Sequence, residues 1–303
     1  MLERRAIPLG AQTRACKVAG NAPRLKAFFV KRLLVLLSLM LAPVAAANNL
    51  PCGQDTPCVI EGGDYHLLFP PDWDGVTPLP AVVYYHGFRS SAASIYRSGA
   101  MRRTFAQNGY LVIAPNGALR PGTDIRAWPA RPGATGWRDD VAFTLDVLDD
   151  AAVQVPVDPS RIYATGFSAG GSMAWMMACY AADRFAGFAS VAGALRRPNP
   201  DQTCPSGPIN LIQIHGFADK TVPLEGRGIR DWHQGDVFES LGLARRTNSC
   251  RSNPDTIEVG EAYRCRAWSA SCQTGGLRLC IHDGGHGLPA GWADLARDFF
   301  EGG

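Results

Sequence analysis

The chain has 303 residues, enough for one large domain or two small ones, and 46 % hydrophobic against 19 % charged residues exclude a disordered protein. Its formal charge of +3 is set by the first 32 residues, which hold eight Lys/Arg and a single acidic residue, Glu3; beyond them 22 basic and 26 acidic residues remain, a net of −4. Without a basic stripe the remainder gives no reason to expect a nucleic-acid partner.

In chain order, the first element is a leader. Lys31 and Arg32 precede an apolar stretch from Leu33 to Leu41, and Ala45-Ala46-Ala47 supply the small-residue pattern of a cleavage site. The apolar run is too short to cross a bilayer, which takes about 20 residues. A cleaved signal region over 1–47 is expected, with a secreted or periplasmic mature chain from residue 48 to 303, and no stable membrane insertion. Eight cysteines follow it: Cys52, Cys58, Cys179, Cys204, Cys250, Cys265, Cys272 and Cys280. An even number in an exported chain points to disulfides, and without a C-x-x-C pair no metal or other cofactor is read from them.

Short apolar runs bounded by Gly, Pro or Asn then predict strands at 65–69, 81–85, 111–114, 162–165, 188–191, 210–214 and 277–281. Helical patterns lie between them. In "DDVAFTLDVLDDAA", Val141, Leu145 and Leu148 share one helical face, with Asp139 and Asp140 placed as caps at its start. Alternation of this kind predicts a single α/β domain, its sheet mostly parallel and covered by helices on both faces.

The stretch "RIYATGFSAGGSMAWMMACYAA" is a strand, then Gly166-Phe167-Ser168-Ala169-Gly170, then an apolar helix. G-x-S-x-G at a strand–turn–helix junction is the setting of a nucleophile elbow, although five such residues in a glycine-rich chain also suit a structural turn. A serine hydroxyl needs a base and an orienting acid, which in this arrangement follow in the order acid, then histidine. Asp219 sits just past the strand "INLIQIH", and His286 in the glycine loop after "LRLCIHD". Both emerge at carboxyl ends of strands, as Ser168 does, so Ser168, Asp219 and His286 are the expected catalytic set. His282 reads as a packed strand histidine, His215 as a residue shaping the Asp219 loop, and Asp283 as an acid too near His286 in sequence. The expected oxyanion donors are the backbone N–H groups of Ala169 and Phe88, the second in the loop His86-Gly87-Phe88, where His86 bonds within the loop. Trp128 and Trp137 are candidates for substrate contact or for plain packing of a Gly/Pro-rich loop.

Together, "YYHG", "APNG", "WRDDVAFTLDVLDD", "VDPSRIYATGFSAGGSMAWMMACYAADRFAGFASVAGAL", "IHGFADKTVP" and "GGHGLP" resemble the polyhydroxybutyrate depolymerase-like esterases, secreted α/β-hydrolases that include feruloyl and acetylxylan esterases. The resemblance runs from about Tyr84 to Pro289. It implies a serine esterase of α/β-hydrolase fold with Ser168, Asp219 and His286 as its triad; a monomer acting through an acyl-enzyme on small or oligomeric esters is expected. It also implies the pairs Cys179–Cys204, Cys250–Cys272, Cys265–Cys280 and Cys52–Cys58. One departure stands out: Leu288 occupies a place near the histidine where the family often has tryptophan. A serine peptidase with the same set, or a non-catalytic carbohydrate- or surface-binding protein on this fold, are the alternatives.

Overall fold

The computed structural model describes residues 52–53, 56–230 and 232–302; the leader expected over 1–47 lies outside them. The strands in chain order are β1 (Cys58–Ile60), β2 (Gly63–Leu68), β3 (Leu79–Tyr85), β4 (Leu111–Pro115), β5 (Ala118–Leu119), β6 (Arg126–Ala127), β7 (Val157–Phe167), β8 (Gly187–Val191), β9 (Asn210–Gly216), β10 (Gly228–Ile229), β11 (Trp232–His233), β12 (Thr256–Val259), β13 (Arg264–Trp268) and β14 (Gly276–His282). The α-helices are α1 (Asp140–Gln154), α2 (Ala169–Tyr180), α3 (Val237–Thr247) and α4 (Trp292–Phe300).

Ten strands form one sheet in the order β1-β2-β4-β3-β7-β8-β9-β14-β13-β12. The six from β4 to β14 run parallel, and antiparallel pairs close both edges. The expected mostly parallel sheet is therefore present at its centre, while β1, β12 and β13 lie outside the seven runs predicted as strands. β12 is exposed along its whole length, so no buried face marks it in the sequence. β5 with β6 and β10 with β11 make two small ribbons in loops.

Side-chain alternation sends the strands' residues to two separate cores. In β3, Ala81, Val83 and Tyr85 pack beneath α1, α2 and α3, whereas Val82 and Tyr84 face the segment 92–106 and α4. The face of α1 differs from the expected one. It buries Phe143, Thr144, Val147, Leu148 and Ala151, with Val141 and Leu145 only half-buried. The polar members of that stripe, Asp140 and Thr144, hid it from a hydrophobic count. Asp139 caps the helix, its Oδ1 accepting the N–H groups of Val141 and Ala142, but Asp140 is buried and paired with Arg138 at 2.6 Å. Burial outweighs that pairing and raises the Asp140 carboxyl to about 6.

Four disulfides join Cys52–Cys58, Cys179–Cys204, Cys250–Cys272 and Cys265–Cys280. Cys265 and Cys280 face each other directly across β13 and β14. Cys179–Cys204 ties the end of α2 to the loop before β9, closing a sequence separation of 25 in the buried core. Replacing both cysteines of that pair with alanine should lower the unfolding free energy by about 2–4 kcal/mol, largely by loosening the unfolded chain. A urea titration reads this directly, and an unchanged midpoint would show the bridge to be dispensable.

Candidate active site

Ser168 lies between the last residue of β7 and the first of α2, with φ 60° and ψ −117°. A side chain other than glycine's is strained there, and such conformations persist where packing enforces them. Its N–H donates to Val191 O at 2.8 Å. The two flanking glycines are required by space: a Cβ on Gly166 would strike the Gly170 carbonyl, and one on Gly170 would strike the Tyr85 carbonyl at the end of β3. Ala169 opens α2, so its N–H has no carbonyl one turn back and is free to donate beside the serine.

The structure brings Ser168, His286 and Asp219 together. His286 Nε2 is 2.9 Å from Ser168 Oγ, and His286 Nδ1 is 2.7 Å from Asp219 Oδ2. The three come from the carboxyl ends of β7, β14 and β9. Asp219 is buried; its Oδ1 accepts the N–H groups of Thr221 and Val222, both at 2.8 Å, leaving Oδ2 for the histidine. The loops bearing the acid and the base are laced together by Phe217 N–H to His282 O (2.7 Å) and Ala218 N–H to Gly284 O (3.0 Å). A Cβ on Gly216 would collide with the Gly284 and Gly285 carbonyls, so this crossing also requires glycine. With Nδ1–H donated to the carboxylate, Nε2 carries the lone pair that faces the serine hydroxyl.

The rival residues have other duties. His282 ends β14 and accepts the N–H of Gly284 at Nδ1. Asp283 is on the surface, paired with Arg264 at 2.7 Å. His215 is fully buried beside Asp219 and holds Val222 O at 2.8 Å.

His86-Gly87-Phe88 follows β3 and passes Ser168: a Cβ built on Gly87 would lie 3.9 Å from Ser168 Cβ. His86 is fully buried and neutral. Its Nδ1–H donates to Gly87 O at 2.8 Å, and Nε2 accepts Gly117 N–H at 3.0 Å. Burial, helped by the Arg126 and Arg138 charges, lowers its pKa to about 4. Between 6.5 and 4 the unfolded chain therefore binds more protons at this residue, so stability is complete above pH 7 and falls as pH drops. The loss attributable to His86 between pH 7 and pH 5 is about 2 kcal/mol. Asp140 titrates in the opposite sense, so the comparison is with His86→Gln: its unfolding free energy should depend less on pH by that amount, and parallel curves for the two proteins would refute it.

Trp128 corrects an expectation. It is 1 % exposed, donates Nε1–H to His86 O at 2.9 Å, and packs edge-on to Tyr85. It cannot line a mouth; it fixes the loop from beneath. Arg196 ties down the same segment by donating to the Trp128 and Pro129 carbonyls. Trp137 is half-buried and lines a cavity of about 320 Å³ together with Arg131, Val141, Met173 and Met176. Met173 and Met176 lie five and eight residues beyond Ser168 on α2, one to two turns along the axis.

Phe217 is an exposed residue beside the acid's loop that the sequence reading did not single out. It is 72 % exposed two residues before Asp219, as Phe88 is exposed in the loop after β3 and Leu288 two residues past His286. A repeated signal marks two of them: His-Gly-Phe ends both β3 and β9, each time with the histidine buried and the phenylalanine outside.

An elbow serine, a histidine and a carboxylate at the carboxyl edge of a mostly parallel sheet define an α/β-hydrolase. Solved structures agree on the fold: "Acetyl xylan esterase from Aspergillus awamori" superposes with TM-score 0.61 at 16 % identity, over 79 % of this chain and 94 % of that one. A Bacillus cereus carboxylesterase gives 0.52 at 15 %, over 80 % and 95 %. The chain belongs to the Esterase family, described as "Putative esterase", which it matches over residues 64–237.

Among curated relatives, "Putative esterase NocK" of Nocardia uniformis subsp. tsuyamanensis is 35 % identical over 151 residues, 48 % of this chain and 42 % of that protein. "Feruloyl esterase B" of Piromyces equi is 30 % identical over 77 % of this chain and 44 % of that protein. The chain thus spans less than half the length of these two. "Probable feruloyl esterase C" of Aspergillus niger is 28 % identical over 90 % of this chain and 96 % of that protein.

Proposed function

We propose that the protein is an exported serine carboxylic-ester hydrolase. The observation that carries this reading is the unbroken hydrogen-bonded line from Ser168 Oγ through His286 to the buried Asp219. In it, His286 Nε2 takes the serine proton as Oγ bonds to the ester carbonyl carbon, and the carbonyl oxygen becomes an oxyanion. The N–H of Ala169 and that of Phe88 would donate to this oxyanion. Collapse expels the alcohol, which leaves with the proton from His286. Water then attacks the acyl-enzyme by the same route and returns the free hydroxyl. Asp219 Oδ2, accepting from Nδ1–H, holds the imidazole in the tautomer this needs.

The relatives named as feruloyl esterases, and the apolar rim of Phe88, Phe217 and Leu288, favour esters with an apolar portion, small or oligomeric. The Trp137 cavity would accept a non-reacting part of the substrate. Four disulfides support export into an oxidising compartment. The test is a panel of p-nitrophenyl acetate, methyl ferulate, oligomeric hydroxybutyrate and a peptide anilide, with fluorophosphonate labelling mapped by mass spectrometry. Turnover of one of the esters and labelling at Ser168 are expected; labelling elsewhere, or cleavage of the anilide alone, would overturn the reading.

A further inference from the structure

Behind Asp219 runs a buried polar chain that the steps above leave unused. Trp175, on the nucleophile helix α2, donates Nε1–H to Gln213 Oε1 at 2.6 Å. Gln213 Nε2 donates to His215 Nδ1 at 2.9 Å. That places the His215 proton on Nε2, which donates to Val222 O at 2.8 Å and lies 3.5 Å from Asp219 Oδ2. All three side chains are fully buried. Burial holds the His215 pKa below its usual value, so the ring is a neutral donor.

Such a chain is costly in a core that apolar residues could fill, and it is tolerated where its members satisfy one another. Its effect converges on one carboxylate. His215 grips the carbonyl of Val222, whose N–H, with that of Thr221, holds Asp219 Oδ1. On the other oxygen, the His215 Nε2–H dipole faces Oδ2 from one side while His286 Nδ1–H bonds it from the other. The 3.5 Å separation makes the first an electrostatic contact rather than a full hydrogen bond.

We propose that His215, its tautomer fixed by Gln213 and Trp175, is a positioning residue that sets the rotamer of Asp219 and thereby the aim of His286 at Ser168. This rests on the catalytic reading of Ser168, His286 and Asp219. Because His215 acts through the acid and touches no substrate, its loss should appear in kcat, with KM unchanged, and only while the carboxylate is present.

The test is steady-state hydrolysis of p-nitrophenyl acetate, or of the best ester from the panel, by His215→Phe, His215→Gln, Asp219→Ala and the double variant His215→Phe/Asp219→Ala. An imidazole misaimed by about 1 Å costs about 100-fold in rate, so His215→Phe should lose about that factor in kcat with KM within about threefold. His215→Gln, whose amide nitrogen can stand in for Nε2–H, should recover most of it. With the carboxylate gone, adding His215→Phe should cost less than about twofold, since the two changes act through one interaction.

A folded His215→Phe with wild-type kcat, or a full 100-fold loss repeated in the Asp219→Ala background, would overturn the proposal. Should His215→Phe fail to fold, His215→Asn, too short to reach Val222 O, replaces it with the same expected outcomes. Ser168→Ala serves as the control that separates the two readings. If Ser168→Ala is inactive and Asp219→Ala keeps only a small residual rate while folded His215→Phe is fully active, only the positioning role falls. If they retain wild-type turnover, the catalytic reading falls first and this one with it.

Discussion

Ser168→Ala should eliminate ester turnover, with kcat falling by about 10⁶-fold to the rate that binding and the oxyanion donors alone sustain. The argument is one of bond making. Without Oγ no acyl-enzyme can form, and His286 Nε2, now 2.9 Å from nothing it can deprotonate, has no nucleophile to activate. The protein should remain folded, because the serine side chain is a partly exposed group whose backbone N–H still bonds Val191 O. Purified variant assayed on p-nitrophenyl acetate, together with its thermal melt, checks both parts. Turnover within tenfold of the wild type would identify a different nucleophile.

Gly170→Ala should have the second-largest effect, for a reason of space. Its Cβ would fall on the Tyr85 carbonyl, so α2 must move away from β3 or the strand end must shift. Either motion breaks the close packing between the nucleophile helix and the strand that leads into His86-Gly87-Phe88. Overpacking of backbone against backbone should cost about 3 kcal/mol, and displacement of Ser168 relative to His86-Gly87-Phe88 about 100-fold in kcat. Gly228→Ala is the matched control: nothing lies within 4 Å of its Cβ position and its φ is ordinary, so stability should change by less than about 1 kcal/mol. Equal behaviour of the two variants, in urea titration and in rate, would show that the elbow has room for a methyl group after all.

Most of the site is written in short-range pattern. The strand–turn–helix around Ser168, Asp219 just past one strand and His286 just past another are each local, and one rule of strand ends brings them to a common edge. The reading failed where a residue's role depends on what lies across from it. Trp128 and Trp137 stand in the same Gly/Pro-rich loop nine positions apart, yet the first is locked under His86 and the second opens on a cavity. No periodicity separates them.

In the same way α1 turns Thr144 and Asp140 inward, where Thr144 Oγ1 donates to the Asp140 carbonyl and Asp140 pairs with Arg138. His215 looked like a residue that merely shapes a loop. Gln213 and Asp219 lie only two and four residues from it in the chain, but Trp175, which fixes Gln213, comes from α2, 38 residues before Gln213, and only the packed fold brings it there.

The amino-acid sequence alone determined the alternation of elements, the chain order of Ser168, Asp219 and His286, and the edge at which they emerge, since hydrophobic periodicity and glycine requirements act over a few residues. Tertiary structure alone decided which polar side chains are buried together, which aromatic faces a cavity and which oxygen of Asp219 each donor holds, because those are contacts between segments that only the folded sheet brings within 3–4 Å of one another.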